Sequence, residues 1–193
     1  FSYGYPPISK SALWINPPTY IKSIDKKEWG RWANIGSGKE WNDVFLKKGW
    51  QDIQPFVFFR NSLYQNYNAV FQKPGISVNT GGILPLRMNS INSIANSYEV
   101  SKDNKTATFS AVLKNAFSVF GVRYITSPYL IHDGSYHLSF TLKNPDVAHN
   151  PLNIYINTNA RPRTFLSTDL TRVETLEDIF RVWSDENYKN EVL

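Results

Sequence analysis

Along the chain, Val112, Leu113, Ala116, Phe117 and Phe120 fall at i, i+1, i+4, i+5 and i+8, which predicts an amphipathic helix with one buried face. Gly121 closes it, and Val122 to Ile125 follow as a strand of β-favouring residues. Tyr136 to Leu142 alternates polar and apolar side chains, as a half-buried strand does. Leu152 to Ile156 is another such segment, and Arg163 to Thr168 a further one after Pro162. Near the C-terminal end, Leu176, Ile179, Phe180 and Trp183 lie at i, i+3, i+4 and i+7, and Thr175 with Asp178 forms a capping-box-like pair in front of them.

The first half is less periodic. Tyr3-Gly4-Tyr5-Pro6-Pro7 is expected to run extended, pinned by its rings. Asn16-Pro17-Pro18 reads as a helix start, with Asn16 as the cap, Pro17 at the first helical position, and Tyr20, Ile21 and Ile24 as the apolar side. Arg31 to Ile35, after Gly30, is a plausible strand. A second short helix is expected over Trp41 to Trp50, with Gly49 as its stop, and a buried strand over Pro55 to Phe59. From Asn61 to Ser97 periodicity fades. This stretch reads as a long irregular segment containing Gly81-Gly82 and a short helix near Ile91 to Ala95, ordered by Tyr64, Tyr67, Phe71 and Ile83-Leu84.

Helices and strands are mixed and nothing repeats. The expected fold is α+β, one domain over residues 1–193 with a mixed sheet and helices packed on it; a β-sandwich with a few helices is the alternative. Aromatics make up 15% of the residues, enough to furnish either a large aromatic core or a sugar-stacking surface. Cys is absent, which excludes disulfides, thiolate metal sites and a Cys nucleophile. The net charge of +5 comes from scattered Lys and Arg with no run longer than Lys26-Lys27 or Lys47-Lys48, so no nucleic-acid footprint is expected. A mild positive charge also suits an anionic membrane or wall polymer. No stretch approaches 18 apolar residues, and the chain opens on Phe1 without a leader pattern, so it reads as a piece excised from a larger protein.

Catalytic chemistry is not assembled by any motif. His132 and His137 flank Asp133-Gly134 and read as ordinary surface histidines at a turn rather than metal ligands. Asp43, Asp52, Glu99, Asp133 and Asp169 form no recognisable acid pair for glycoside hydrolysis. Gly36-Ser37-Gly38-Lys39 lacks the upstream glycine and the Ser/Thr of a phosphate loop and reads as a turn. No cofactor is expected. What stands out is a cluster of rings, amides and guanidinium forks: Trp41, Trp50, Arg60, Asn61, Tyr64, Gln65, Asn66, Asn68 and Arg87. Sugars offer apolar C–H faces for rings and hydroxyls for planar polar groups, so these types in an irregular segment are candidates for carbohydrate binding. Arg60 and Arg87 would present charge along a groove, with at least one of Trp41, Trp50, Tyr64 or Tyr67 exposed. The plainer reading is that the amides bond to the loop backbone and hold it together.

Several stretches resemble the extracytoplasmic region of YfhO-type bacterial membrane proteins and related multi-pass glycosyltransferases of the GT-C kind. Asn16-Pro17-Pro18-Thr19-Tyr20-Ile21 followed by Gly30-Arg31-Trp32-Ala33-Asn34-Ile35-Gly36 is similar to the family's opening. Ala116 to Ser127 resembles its helix, Gly-Val-Lys-Tyr, strand segment. Asn159-Ala160-Arg161-Pro162-Arg163-Thr164-Phe165-Leu166 resembles its Pro-Arg strand, and Glu174-Thr175-Leu176-Glu177-Asp178 starts the helix that follows. The stretch from Asn61 to Met88 departs from the family pattern. The resemblance implies a non-catalytic accessory domain on the extracytoplasmic face of the bacterial cell membrane. It would work beside a transmembrane part of the same polypeptide that holds the catalytic acid and a lipid-linked sugar, with a glycan as the other partner. A free-standing carbohydrate-binding module and the ligand-sensing domain of a receptor are the alternatives.

Overall fold

The computed structural model describes residues 10–24, 29–49, 51–64, 67–76, 94, 97–143, 151–165, 171–186 and 188. The architecture is α+β. Two short helices, α1 (Ser11–Ile15) and α2 (Thr19–Ser23), precede β1 (Arg31–Asn34), α3 (Ser37–Lys48), α4 (Gln54–Asn61) and α5 (Tyr67–Val70). There follow β2 (Tyr98–Val100), β3 (Thr106–Phe109), α6 (Ala111–Val119), β4 (Val122–Ser127), β5 (Leu130–Ile131), β6 (Tyr136–Leu142), β7 (Leu152–Asn157) and α7 (Leu176–Trp183). The main sheet has the order β1-β4-β7-β6, with β1 parallel to β4 and the other pairs antiparallel. A smaller sheet joins β2, β3 and β5 in that order. No helix among the described residues is long and apolar enough to cross a membrane.

Both faces of the central strands are covered, which is why β4 and β7 are almost continuously buried. Side chains of these strands divide between two cores, alternating except at Val122, where the β1–β4 register shifts. Ala33, Ile35, Val122, Ile125 and Tyr155 face Leu113, Ala116 and Phe117 of α6, with Trp183 of α7 joining the same cluster. On the other face Trp32, Tyr124, Leu152 and Ile154 meet Tyr20 and Ile21 of α2, with Leu63 and Phe71. Trp32 and Tyr124 stack there, their centroids 4.7 Å apart. The caps predicted from sequence at the last helix are present: Thr175 Oγ1 accepts from the Asp178 N–H, and the Asp178 carboxylate accepts from the Thr175 N–H.

Several local expectations are corrected. Pro55 to Phe59 is not a strand but the body of α4. Pro55 sits in its first turn, where a missing N–H costs nothing, and the Asp52 carboxylate accepts from the Gln54 N–H at 2.8 Å. A short apolar run looks the same in either state, and the flanking Asp and Pro decided it. Asn16 does not open α2; it closes α1 with its N–H on Ala12 O, and α2 begins at Thr19 after Pro18. Helix α3 starts at Ser37, earlier than expected, so Gly36 alone makes the turn. Arg163 to Phe165 join no strand, and 166–168 lie outside the described residues. The same is true of Tyr3 to Pro7, of Gly81-Gly82 and of Ile83-Leu84; of the helix expected near Ile91 to Ala95 only Ile94 is described, helical and buried. Strands β2, β3 and β5 were not expected at all, being too short for alternation to register.

Buried tyrosines give the fold an alkaline limit. Burial raises the hydroxyls of Tyr20 and Tyr136 far above the usual value of about 10, and pushes Tyr129 up to about 12, the nearby Tyr98, Glu40 and Asp43 adding to it. Above pH 10 the unfolded chain releases these protons while the folded chain retains them. Stability is therefore fully present below about pH 10 and falls as pH climbs towards 12. Thermal unfolding followed from pH 8 to 11.5 should show a midpoint insensitive to tyrosine ionisation up to about pH 9.5 and a steep fall above pH 10. A midpoint still level at pH 11.5 would contradict the burial of these hydroxyls.

Candidate functional site

The carboxyl end of β1 runs directly into α3 through a turn that only glycine accommodates. Gly36 has φ +79°, and a Cβ there would lie 2.2 Å from the Tyr129 ring. Two residues on, Gly38 leaves room for the Tyr64 hydroxyl, which a Cβ would approach to 2.9 Å. Just before these glycines, at the end of β1, Asn34 anchors the corner. Its amide nitrogen donates to Ser37 Oγ (2.8 Å), Ser62 O (2.9 Å) and Thr126 Oγ1 (2.9 Å). Thr126 in turn donates to Ser62 O at 2.6 Å. Ser37, Ser62 and Thr126 are wholly buried, so this network ties β1, β4, α3 and the end of α4 into one rigid corner.

Beside that corner opens a cavity of about 690 Å³. Asn34, Gly36, Gly38 and Lys39 line its floor with Trp41 and Asn42 of α3; Phe56, Phe59, Tyr64, Tyr67 and Tyr98 supply the other walls. The rings form a contiguous cluster centred on Phe59. Trp41 lies nearly parallel to Phe45 at 5.0 Å, and Phe59 is 5.2 Å from Trp41, 4.4 Å from Tyr64 and edge-on to Tyr67 at 6.3 Å. Two buried polar atoms on lining residues have no hydrogen-bond partner: Asn34 Oδ1, an acceptor, and Trp41 Nε1, a donor. Leaving such groups unmade costs about 1–3 kcal/mol each. Burial raises the Tyr67 and Tyr98 hydroxyls above their usual value, keeping both neutral and able to donate.

The described lining residues include no carboxylate and no imidazole. Elsewhere, Asp133 accepts from the Ser135 N–H and pairs with Lys114 at 3.3 Å, and Asp52 caps α4. Glu99 is exposed, Asp43 is half-buried on α3, and Asp169 lies outside the described residues. His132 and His137 are both exposed, and no group of three metal-ligating side chains occurs among the described residues.

Of the residues singled out from sequence, Trp41 and Tyr64 line the cavity, as does Tyr67. Trp50, Gln65, Asn66 and Arg87 lie outside the described residues. Arg60 is corrected: it presents no charge to a groove but is buried, 5% exposed. Its guanidinium donates to Asn16 O and Asn61 Oδ1 and lies over the Phe71 ring at 5.3 Å. Asn61 thereby becomes a structural link, its backbone oxygen also accepting from Tyr20 at 2.6 Å. Asn68 follows the plainer reading, its amide bonding to Lys73 O. Sequence reasoning missed Asn34, Asn42, Phe56, Phe59 and Tyr98. For Asn34 a signal existed, the strand–Gly-x-Gly–helix passage that leaves a strand's carboxyl end open; for Tyr98, distant in the chain, there was none. Compared with known proteins, the chain matches no family model, no curated protein and no solved structure.

Proposed function

We propose that this chain is a non-catalytic glycan-recognition domain. In this reading it is the extracytoplasmic accessory part of a membrane glycosyltransferase of cell-envelope assembly, the role implied by the resemblance to YfhO-type proteins. The supporting observation is the aromatic cavity, whose lining residues carry one unanswered acceptor on Asn34 and one unanswered donor on Trp41. A pyranose ring offers a C–H face to such aromatic walls and hydroxyls that both donate and accept. Among the described residues no acid pair lines the cavity, and in this reading a bound glycan is held and not cleaved.

Isothermal titration with a panel of neutral and acidic envelope oligosaccharides tests this. At least one should bind, remain intact after incubation, and lose about tenfold in affinity with Trp41→Phe. That variant keeps one aromatic ring beside Phe45 and Phe59 but removes the N–H together with part of the indole, so the unfolding midpoint is read alongside the affinity and should fall by a few degrees at most. Absence of binding across the panel, or equal binding by the variant, would sink the reading. The parent reading frame decides the setting: many spans favour the transferase, and a signal peptide alone a free-standing module.

A further inference from the structure

At the opposite end of the main sheet lies a second, chemically different site. Strand β1 starts there with Arg31, about 10 Å from Asn34 at the usual rise of a strand. Its partner β4 also starts at this end, and β7 terminates there and leads through Thr158–Ala160 to Arg161 and Arg163. The Arg161 N–H donates to Ser118 O at 3.0 Å, and the Arg161 carbonyl packs over Gly121 beside the Trp29 ring, so the loop is seated firmly.

Two guanidinium groups lie against Trp29 and a third over Phe165, and that of Arg31 also donates to Phe120 O. Arg31 lies 5.2 Å and Arg163 5.9 Å from the Trp29 centroid, and Arg161 lies 4.5 Å above Phe165. Arg161 is only 9% exposed, yet neither of its terminal nitrogens has a hydrogen-bond partner. Among the described residues, no carboxylate lies within ion-pair distance of Arg31, Arg161 or Arg163. A buried, uncompensated guanidinium is strongly unfavourable, and its fork of parallel N–H groups is shaped for two oxygens of one anion.

We infer that this end of the sheet binds a phosphate group, gripped by Arg161 with Arg31 and Arg163 supplying further charge. Three positive charges match a phosphate monoester or diester better than a single carboxylate. Trp29 and Phe165, 36% and 38% exposed, offer apolar contact to whatever carries the phosphate. The same chemistry is presented by a phospholipid headgroup and by a soluble or polymer-borne phosphate. The inference goes beyond the glycan reading and does not depend on it, since the two sites occupy opposite ends of β1.

The test titrates the intact 193-residue chain with inorganic phosphate and with glycerol phosphate against chloride at matched ionic strength. Backbone and indole NMR shifts report binding, and thermal unfolding reports linkage. Phosphate should move the signals of Trp29, Arg161 and Arg163 and raise the unfolding midpoint. Arg163→Gln, at an exposed position, should weaken binding about tenfold. Arg161→Met should abolish it without lowering the midpoint measured in the absence of phosphate, because an unpaired charge has been replaced by an apolar chain of similar reach. Sedimentation with vesicles of phosphatidylglycerol and phosphatidylcholine, compared with phosphatidylcholine alone, separates the sources. Retention on the anionic vesicles that disappears in Arg163→Gln assigns a headgroup. A phosphate response without such retention assigns a soluble or polymer-borne phosphate. Signals that move no more with phosphate than with chloride overturn the inference. So does an Arg161→Met protein that unfolds more easily while the wild type gains nothing from phosphate. Failure of every glycan to bind would leave these outcomes unchanged.

Discussion

Replacing Phe117 by alanine is expected to lower the free energy of unfolding by about 3–5 kcal/mol, the largest loss from any single truncation considered. Phe117 is 1% exposed, on the face of α6 that packs on β4, and it meets the edge of Phe109 at a centroid distance of 6.1 Å. Leu113 and Ala116 on the same face are wholly buried, and Val122 and Ile125 of β4 sit opposite with no exposed surface. Their neighbours on both sides belong to regular elements, so the space left by the ring cannot collapse freely and the cavity cost adds to the lost transfer energy. Equilibrium denaturation in urea checks this, with the slope unchanged and the midpoint lowered. A loss below about 1 kcal/mol would mean that α6 is not held by this face.

Arg60→Ala is expected to destabilise the fold by about 2–3 kcal/mol, through lost charge-assisted hydrogen bonds and lost packing on Phe71. The guanidinium bridges the end of α1, through Asn16 O, to Asn61 at the end of α4. Burial lowers its pKa from the ordinary arginine value, and the neighbouring Tyr20 and Tyr67 work against that shift. Removing it strands the Asn61 amide oxygen and loosens the segment against which Tyr20 is clamped. Denaturant titration measures the effect, and Arg60→Lys should recover only part of it, because a point charge cannot serve two acceptors with the same fork. An unchanged midpoint together with weakened glycan binding would return Arg60 to the surface on which its residue type alone had placed it.

That contrast shows where the sequence was legible. The helix over Phe117, the strands at Val122, Tyr136 and Leu152, and the last helix with its Thr175–Asp178 caps announce themselves because one face of each meets a core, and burial imposes the period of the element on its own residues. The α+β class follows from those elements. Trp41, Tyr64 and Tyr67 were legible as site candidates because rings and amides crowd that stretch, and all three line the cavity.

Other features depend on who the neighbours are. Pro55 to Phe59 carries no period long enough to choose between strand and helix, and the choice was made by capping and by packing against α3. Arg60 has the same composition value whether it faces water or the Asn16 carbonyl; only the path of α1 past α4 turned it inward. Asn34, Tyr98 and Trp41 are brought to one cavity by the chain crossing from β1 to the smaller sheet, a juxtaposition that local sequence does not encode. Likewise Arg31 and Arg161 are 130 positions apart in the chain and share one sheet end because β1 is parallel to β4 while β7 is antiparallel to it. By itself the sequence determined which segments have a face to bury, since that follows from the spacing of apolar residues within a few turns. Only the tertiary structure decided which polar side chains were left buried and unanswered, because an unmade hydrogen bond is a property of the partners that long-range contacts supply or withhold.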